Sequence, residues 1–297
     1  MIRRDLVFLY DTFSVIGGDL RSVTLGRLLK EEGKKVKIFG FDKGIDTFGL
    51  ESSKSLKDAL SNEVIILPVP ATKDNILVTA PFSDKNIYLD DIFSHLGPLK
   101  LVLAGHVTNE LLARFDREGV VLIDYLSREE MKVKNAVPTA EGAIGIAISE
   151  LPITLSGAKI LIIGYGRIGK VLLDILKAFS SDITVSARRC GDFAWIESKG
   201  AKAIKTSLIK DTAGEYDVIF NTVPSMVLGN EELSLIKDDA LIIDPASVPG
   251  GIDLESAKYL GKKVIWALSL PGKVAPITAG KIIKETILNI LSEMEVM

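Results

Sequence analysis

The sequence predicts an α/β fold built from two doubly wound domains, and three observations carry that prediction. Short Val- and Ile-rich runs alternate with longer amphipathic stretches along the chain, the pattern of parallel strands joined by helices. Two glycine turns, Gly17-Gly18-Asp19 and Gly164-Tyr165-Gly166-Arg167-Ile168-Gly169, each directly follow the first strand of a series. Each series therefore reads as its own sheet, with the two domains facing a cleft. The length, 297 residues with 47% hydrophobic and 25% charged content, suits two domains, each burying its own core.

In the first series the spacing predicts strands near Ser14–Ile16, Lys35–Phe39, Val64–Pro68, Ile87–Tyr88, Leu101–Ala104 and Val121–Asp124, with a helix over Arg21–Glu32. In the second, strands are expected near Lys159–Ile163, Ile183–Ala187, Val218–Asn221, Ala240–Ile243 and Val264–Ala267. Between them Thr139–Leu151 has an apolar helical pattern, begun by Pro138-Thr139 and ended by Pro152, and is expected to be an interdomain helix. Thr278–Met294, with Ile282, Ile283, Ile287, Ile290 and Leu291 near helical spacing, is expected to cross back onto the first domain. The predicted organisation is residues 1–138 with 278–297, an interdomain helix over 139–152, and a dinucleotide-binding domain over 153–277.

Composition excludes several classes. A net charge of −3 offers no basic stripe for nucleic acid. The apolar runs are far shorter than the ~18 residues of a membrane span, and the start, Met1-Ile2-Arg3-Arg4-Asp5, predicts no export signal. One cysteine, Cys190, allows neither an internal disulfide nor a thiolate cluster, and two histidines make a histidine zinc site improbable, so no metal is expected. A reducing cytoplasm fits that cysteine usage.

Chemistry concentrates on the second glycine turn. Gly164, Gly166 and Gly169 follow the run Lys159–Ile163 and open a segment whose Ile168, Leu172, Leu173 and Leu176 have helical spacing. Strand, turn and helix together are the Rossmann dinucleotide context. The first glycine permits a tight turn, the second lets the backbone approach a pyrophosphate, and the third lets helix and strand pack closely. The turn, with Arg167 and Ile168 inside it, is the expected phosphate site. An NAD site of this type carries an acidic residue at the end of the next strand. Here that strand ends Ser186-Ala187-Arg188-Arg189, so Ser186 and Arg188 are expected to receive a 2′-phosphate, favouring NADP while leaving NAD open. The loops beyond Asn221, Ile243 and Ala267 should border the nicotinamide, which makes Thr222, Pro224 and Ser247 candidates there.

Further motifs extend beyond this turn: Gly17-Gly18-Asp19 with Arg21, Gly40-Phe41-Asp42, Leu67-Pro68-Val69 with Ala71-Thr72, Pro138-Thr139 with Glu141-Gly142, Asn221-Thr222 with Pro224-Ser225-Met226, Ala246-Ser247 with Pro249-Gly250-Gly251, and Leu270-Pro271-Gly272 with Val274-Ala275-Pro276. Together with Ala187-Arg188 they resemble, nearly end to end, the A subunits of bacterial dipicolinate synthase. The resemblance implies NADP-linked oxidation of a dihydrodipicolinate-type intermediate to dipicolinate, a branch from lysine biosynthesis. It also implies a partner, a flavoprotein-type B subunit, with flavin on that partner only, and a place in the mother-cell cytoplasm of a sporulating bacterium.

A planar dicarboxylate calls for guanidinium and hydroxyl donors, and Arg21, Thr72, Thr139 and Ser225 are the candidates. Glu141 is the candidate general base, on the expectation that partial burial at the start of the interdomain helix raises its pKa. Charge compensation at a helix N-terminus is the alternative role for it. The family pattern does not require His106 or Lys273, so neither receives a role, and Arg189 also exceeds it, so phosphate selection rests on Arg188. Two other readings stay open: another NADP-dependent dehydrogenase of a small hydroxy or amino acid, and a non-catalytic NADP-binding subunit. Homo-oligomerisation is compatible with this class, but no residue pattern signals it.

Overall fold

The computed structural model describes residues 10–97, 100–180 and 182–296; the charged opening at residues 1–5 lies outside them. The first strand, β1 (Thr12–Ile16), buries four of its five side chains, as an interior strand of a parallel sheet must. After the Gly17-Gly18 turn, Asp19 caps α1 (Leu20–Glu31) by accepting the Arg21 N–H at 3.0 Å. There follow β2 (Lys35–Phe39), β3 (Glu51–Ser52), α2 (Leu56–Ala59), β4 (Val64–Ile66), α3 (Leu89–His95), β5 (Leu101–Ala104), α4 (Asn109–Arg117) and β6 (Val121–Asp124). The sheet is parallel, in the order β3-β2-β1-β4-β5-β6. Alternation divides its residues between two cores: Phe13, Val15, Ile38, Val64 and Ile66 on one face, Ile16, Ile65, Leu67 and Val102 on the other.

One expectation for this unit is corrected. Ile87–Tyr88 is no strand: Tyr88 makes a single antiparallel bridge to Leu77, and α3 starts at the next residue. Its apolar pair signals burial of Ile87, not pairing. Conversely β3 escapes prediction because its two residues, Glu51 and Ser52, are exposed at a sheet edge and carry no apolar signal.

The long helix α5 (Glu129–Glu150) begins ten residues before the expected start, and Pro138 lies inside it. Its real opening signal is Glu129-Glu130, acidic residues in the first turn. Pro138 removes the bond that its own N–H would make to the Lys134 carbonyl, and the flanking turns continue.

The second unit contains β7 (Ile160–Ile163), α6 (Arg167–Leu176), β8 (Ile183–Ala187), α7 (Cys190–Ser198), β9 (Lys202–Lys205), α8 (Ile209–Thr212), β10 (Val218–Asn221), α9 (Asn230–Leu235), β11 (Leu241–Asp244), α10 (Leu254–Tyr259), β12 (Lys263–Trp266) and α11 (Leu270–Val274). Its parallel sheet has the order β12-β11-β10-β7-β8-β9. This is the doubly wound Rossmann arrangement, with the order reversing between β7 and β10. Ile160, Ile162, Val185 and Phe220 fill one core and Leu161, Ile163, Ile219 and Ile242 the other. β9 was not expected, since Lys-Ala-Ile-Lys at a sheet edge has too little apolar character to read as a strand.

The last helix, α12 (Pro276–Val296), packs on α1. Gly280 permits the approach, because a Cβ there would lie 2.7 Å from the Arg21 carbonyl oxygen and from Thr24 Cβ. Ile282, Ile283, Ile287, Ile290 and Leu291 are buried in the core that also holds Val23 and Leu29. Arg128 clasps Glu293 through two hydrogen bonds, of 2.8 and 2.6 Å. By contacts the chain divides into residues 1–134 with 275–297 and residues 135–274. Both units are Rossmann-like α/β sheets. Among the described residues no helix is long and apolar enough to cross a membrane.

Candidate cofactor site

Two glycines of the turn meet steric requirements, and the third faces open space. Gly164 has φ +94°, its N–H donates to the Ser186 carbonyl at 3.0 Å, and a Cβ there would lie 2.7 Å from both Thr222 Oγ1 and Val223 Cγ2. Gly169 sits under the turn, where a Cβ would be 2.1 Å from the Gly164 carbonyl oxygen. At Gly166 a Cβ would meet nothing within 4 Å. Gly166 is the N-cap of α6 with no side-chain hydrogen bond, so the positive end of that helix opens onto unfilled space. Two glycines are thus required by packing inside the protein, while the third keeps clear a surface on which an anion can approach the backbone. That is the fit a dinucleotide pyrophosphate needs. Arg167 and Ile168 are the first two residues of α6, at the edge of that space.

The neighbouring candidates divide. Arg188 is exposed immediately beyond β8. Ser186 is fully buried, with Thr206 Oγ1 3.5 Å from its hydroxyl, and the expected contact with a 2′-phosphate is corrected: β8 lies between β7 and β9, and Ser186 points into the sheet's core. The Thr222 hydroxyl donates to the Ile163 carbonyl at 2.9 Å, so it clasps the glycine turn instead of facing the cofactor. Pro224, Ser225 and Ser247 are exposed in the loops past β10 and β11.

A pair that the sequence reading left without a role, Asn221 and Asp244, shapes those loops. Both are buried at the carboxyl ends of adjacent strands, β10 and β11. Asn221 Nδ2 donates to Asp244 Oδ1 at 2.9 Å and to the Val223 carbonyl at 3.0 Å. Asp244 also accepts the N–H groups of Ala246 and Gly251, each at 3.0 Å. Burial pushes the Asp244 carboxyl above its ordinary pKa, against the downward pull of those three donors. Gly251 is pressed so close that a Cβ would lie 2.5 Å from Asn221 Nδ2 and from the Val223 carbonyl. Only the Asn-Thr and Asp-Pro pairs at strand ends hinted at this network.

Of the substrate candidates, Arg21 and Thr72 belong to the first unit, Thr139 and Ser225 to the second. Arg21 is largely engaged within the protein: Nε and Nη2 grip Asp19, and Nη2 donates to the Val69 carbonyl at 2.7 Å. Thr72 Oγ1 is buried, donates to Asp74 Oδ1 and accepts the N–H groups of Asp74 and Asn75, closing a local turn. Thr139 Oγ1 donates to the Asn135 carbonyl one helical turn back, at 2.7 Å. The hydroxyl hydrogens of both threonines are therefore taken, contrary to the expectation that they are free for a carboxylate. Glu141 is exposed and lies in the middle of α5. The partial burial on which its role was premised is absent, and so is the helix start that the alternative reading needed. The reason is the earlier start of α5. Three buried oxygens without a partner among the described residues went unnoticed in the sequence: Ser53 Oγ, Thr79 Oγ1, on the residue whose carbonyl accepts the Gly18 N–H, and Asn135 Oδ1.

Comparison with known proteins agrees with both halves of this picture. Residues 12–126 match the family described as the N-terminal domain of the dipicolinate synthase A subunit. Residues 126–247 match the NAD binding domain of D-isomer specific 2-hydroxyacid dehydrogenases. The dipicolinate synthase A subunit of Bacillus subtilis (strain 168) is 30% identical over 285 residues, covering 95% of this chain and 96% of that protein. The crystal structure of the same enzyme's A subunit from Bacillus subtilis superimposes with a TM-score of 0.88 over 98% of this chain and 99% of that one. That of the A subunit from Bacillus halodurans gives 0.87 at 29% identity, over 95% and 97%.

Proposed function

The chain belongs to the family of dipicolinate synthase A subunits, and on that premise we propose that it oxidises a dihydrodipicolinate-type dicarboxylate to dipicolinate with NADP, together with a flavoprotein-type B subunit. It is an NAD(P)-dependent oxidoreductase using a nicotinamide dinucleotide.

The observation that carries the cofactor half is the turn left open at Gly166 with Arg188 exposed at the end of the next strand. When bound, the nicotinamide supplies the acceptor for a hydride and its two electrons. The substrate, a dihydropyridine, loses that hydride and one proton, and aromatisation of its ring favours the product. What this chain's residues must do is orient a flat dianion and take up the proton. The Arg21 guanidinium is offered to one carboxylate through Nη1, since Nε and Nη2 are held by Asp19 and Val69. The exposed Ser225 hydroxyl is offered to the substrate, with Thr72 and Thr139 as positioning groups whose own hydrogen bonds are internal. Glu141, an accessible carboxylate on α5, is the proposed proton acceptor. Flavin chemistry is assigned to the partner, and the site of action to the mother-cell cytoplasm during sporulation.

The test is to assay the purified chain, alone and with its B subunit, for dipicolinate and for NADPH absorbance. Dipicolinate and NADPH rising in equal amounts support the proposal. Dipicolinate formed without any NADP dependence overturns the acceptor role, and NADP-linked turnover of a different hydroxy or amino acid overturns the substrate.

A further inference from the structure

Arg188 is not the only cation at its corner of the sheet. β8 and β9 pair in parallel register, Thr184 opposite Lys202, Val185 opposite Ala203 and Ala187 opposite Lys205. Lys205 therefore stands level with the residue directly before Arg188, one strand spacing of ~4.8 Å away. In a parallel sheet such partners present their side chains on the same face. Ala187 and Ala203 both pack in the core covered by α6 and α7, so Lys205 ends the β9 row on the side where α7 begins. β9 is the edge of the sheet, and Lys205 is exposed.

Arg188, Arg189 and Lys205 are all exposed, and among the described residues none of them has an ion-pair partner. α7 adds its positive end: its N-cap, Arg189, makes no side-chain cap hydrogen bond, and a Cβ at Gly191 would meet nothing within 4 Å. Asp192 is the acidic residue of that first turn. Like charges gathered without partners repel one another, and an anion between them relieves the repulsion. In a doubly wound dinucleotide site the adenosine ribose lies at the carboxyl end of the second strand, which here is β8.

We propose that Lys205 is a specificity-determining residue that holds the 2′-phosphate of NADP together with Arg188. The inference rests on the NADP reading above and adds a residue from a strand that no local pattern joins to the glycine turn. Arg188 reaches the phosphate from the end of β8 and Lys205 from β9, so the dianion is held from two strands. A ribose carrying only a hydroxyl gives Lys205 no charge to meet.

The experiment titrates the full-length chain with NADPH and with NADH by nicotinamide fluorescence, and competes each with 2′-AMP and 5′-AMP. Lys205→Ala is expected to weaken NADPH about tenfold, the equivalent of one charge-assisted hydrogen bond. Lys205→Glu should weaken it further, Lys205→Arg should restore it, and NADH should change by less than about twofold in all three. The advantage of 2′-AMP over 5′-AMP should shrink in parallel. A wild-type chain without preference for NADPH removes the NADP reading itself. A wild-type preference that persists in Lys205→Glu, or equal losses for NADPH and NADH, overturns the assignment of Lys205 and leaves that reading standing.

Discussion

A single methyl group placed at Gly169 or at Gly166 should separate the folding role of the glycine turn from its binding role. At Gly169 the added Cβ falls 2.1 Å from the Gly164 carbonyl oxygen. That is about 1.2 Å inside the ~3.3 Å at which carbon and oxygen meet even in weak C–H···O contacts. The atom met is backbone, so relief requires α6 to move away from β7. Intrinsic helix propensity favours Ala over Gly by ~1 kcal/mol, while overpacking costs up to ~3 kcal/mol, leaving Gly169→Ala destabilised by roughly 2 kcal/mol. At Gly166 the space is open and the backbone, at φ −81°, suits any residue. Gly166→Ala should lose less than ~1 kcal/mol, the cost of a poorer N-cap. Its methyl instead occupies the approach of the pyrophosphate, and dinucleotide affinity should fall at least about tenfold, one phosphate hydrogen bond. Urea unfolding at constant m-value measures the first effect and fluorescence titration with NADPH the second. A Gly169→Ala protein as stable as wild type would refute the packing argument, and a Gly166→Ala protein with unaltered affinity would refute the placing of the pyrophosphate.

Three further outcomes can be measured. Arg188→Asp should weaken NADPH by roughly 1.5–3 kcal/mol and NADH by less, and equal losses in a binding titration remove the selectivity argument. Glu141→Gln should depress turnover in the complex with the B subunit while leaving NADPH affinity unchanged; unaltered turnover eliminates it as the proton acceptor. Asp244 is held above its unfolded-state pKa, so its contribution to stability is fully present below the unfolded value and is lost as pH rises through the folded one. Asn221→Ala removes a donor to the ionised carboxyl and should move its titration, followed by carboxyl carbon NMR, to still higher pH; a downward move contradicts the proposed network.

Much of the fold was legible because its signals are local. Val-Ile runs such as Ile160–Ile163 declare interior strands, and the stretch from Ile282 to Leu291 declares one apolar helix face. Edge strands have no such signal: β3 and β9 exist because a neighbour offers hydrogen bonds, and their residues do not advertise it. Pro138 misled for a related reason, since a proline that opens a helix and one tolerated inside it look alike until the preceding turn is known.

At the site the same division holds. The position of the glycine turn was legible locally, because Gly164, Gly166 and Gly169 fall within one contiguous strand, turn and helix. Packing across the chain settled that Ser186 is buried, that Arg21 is bound by Asp19 and the Val69 carbonyl, and that Glu141 is exposed in mid-helix. It also brought Asn221 to Asp244, and Lys205 level with Ala187. Those facts depend on which strands pair and in what register, and parallel pairing joins residues that are far apart in the chain through backbone groups common to every residue.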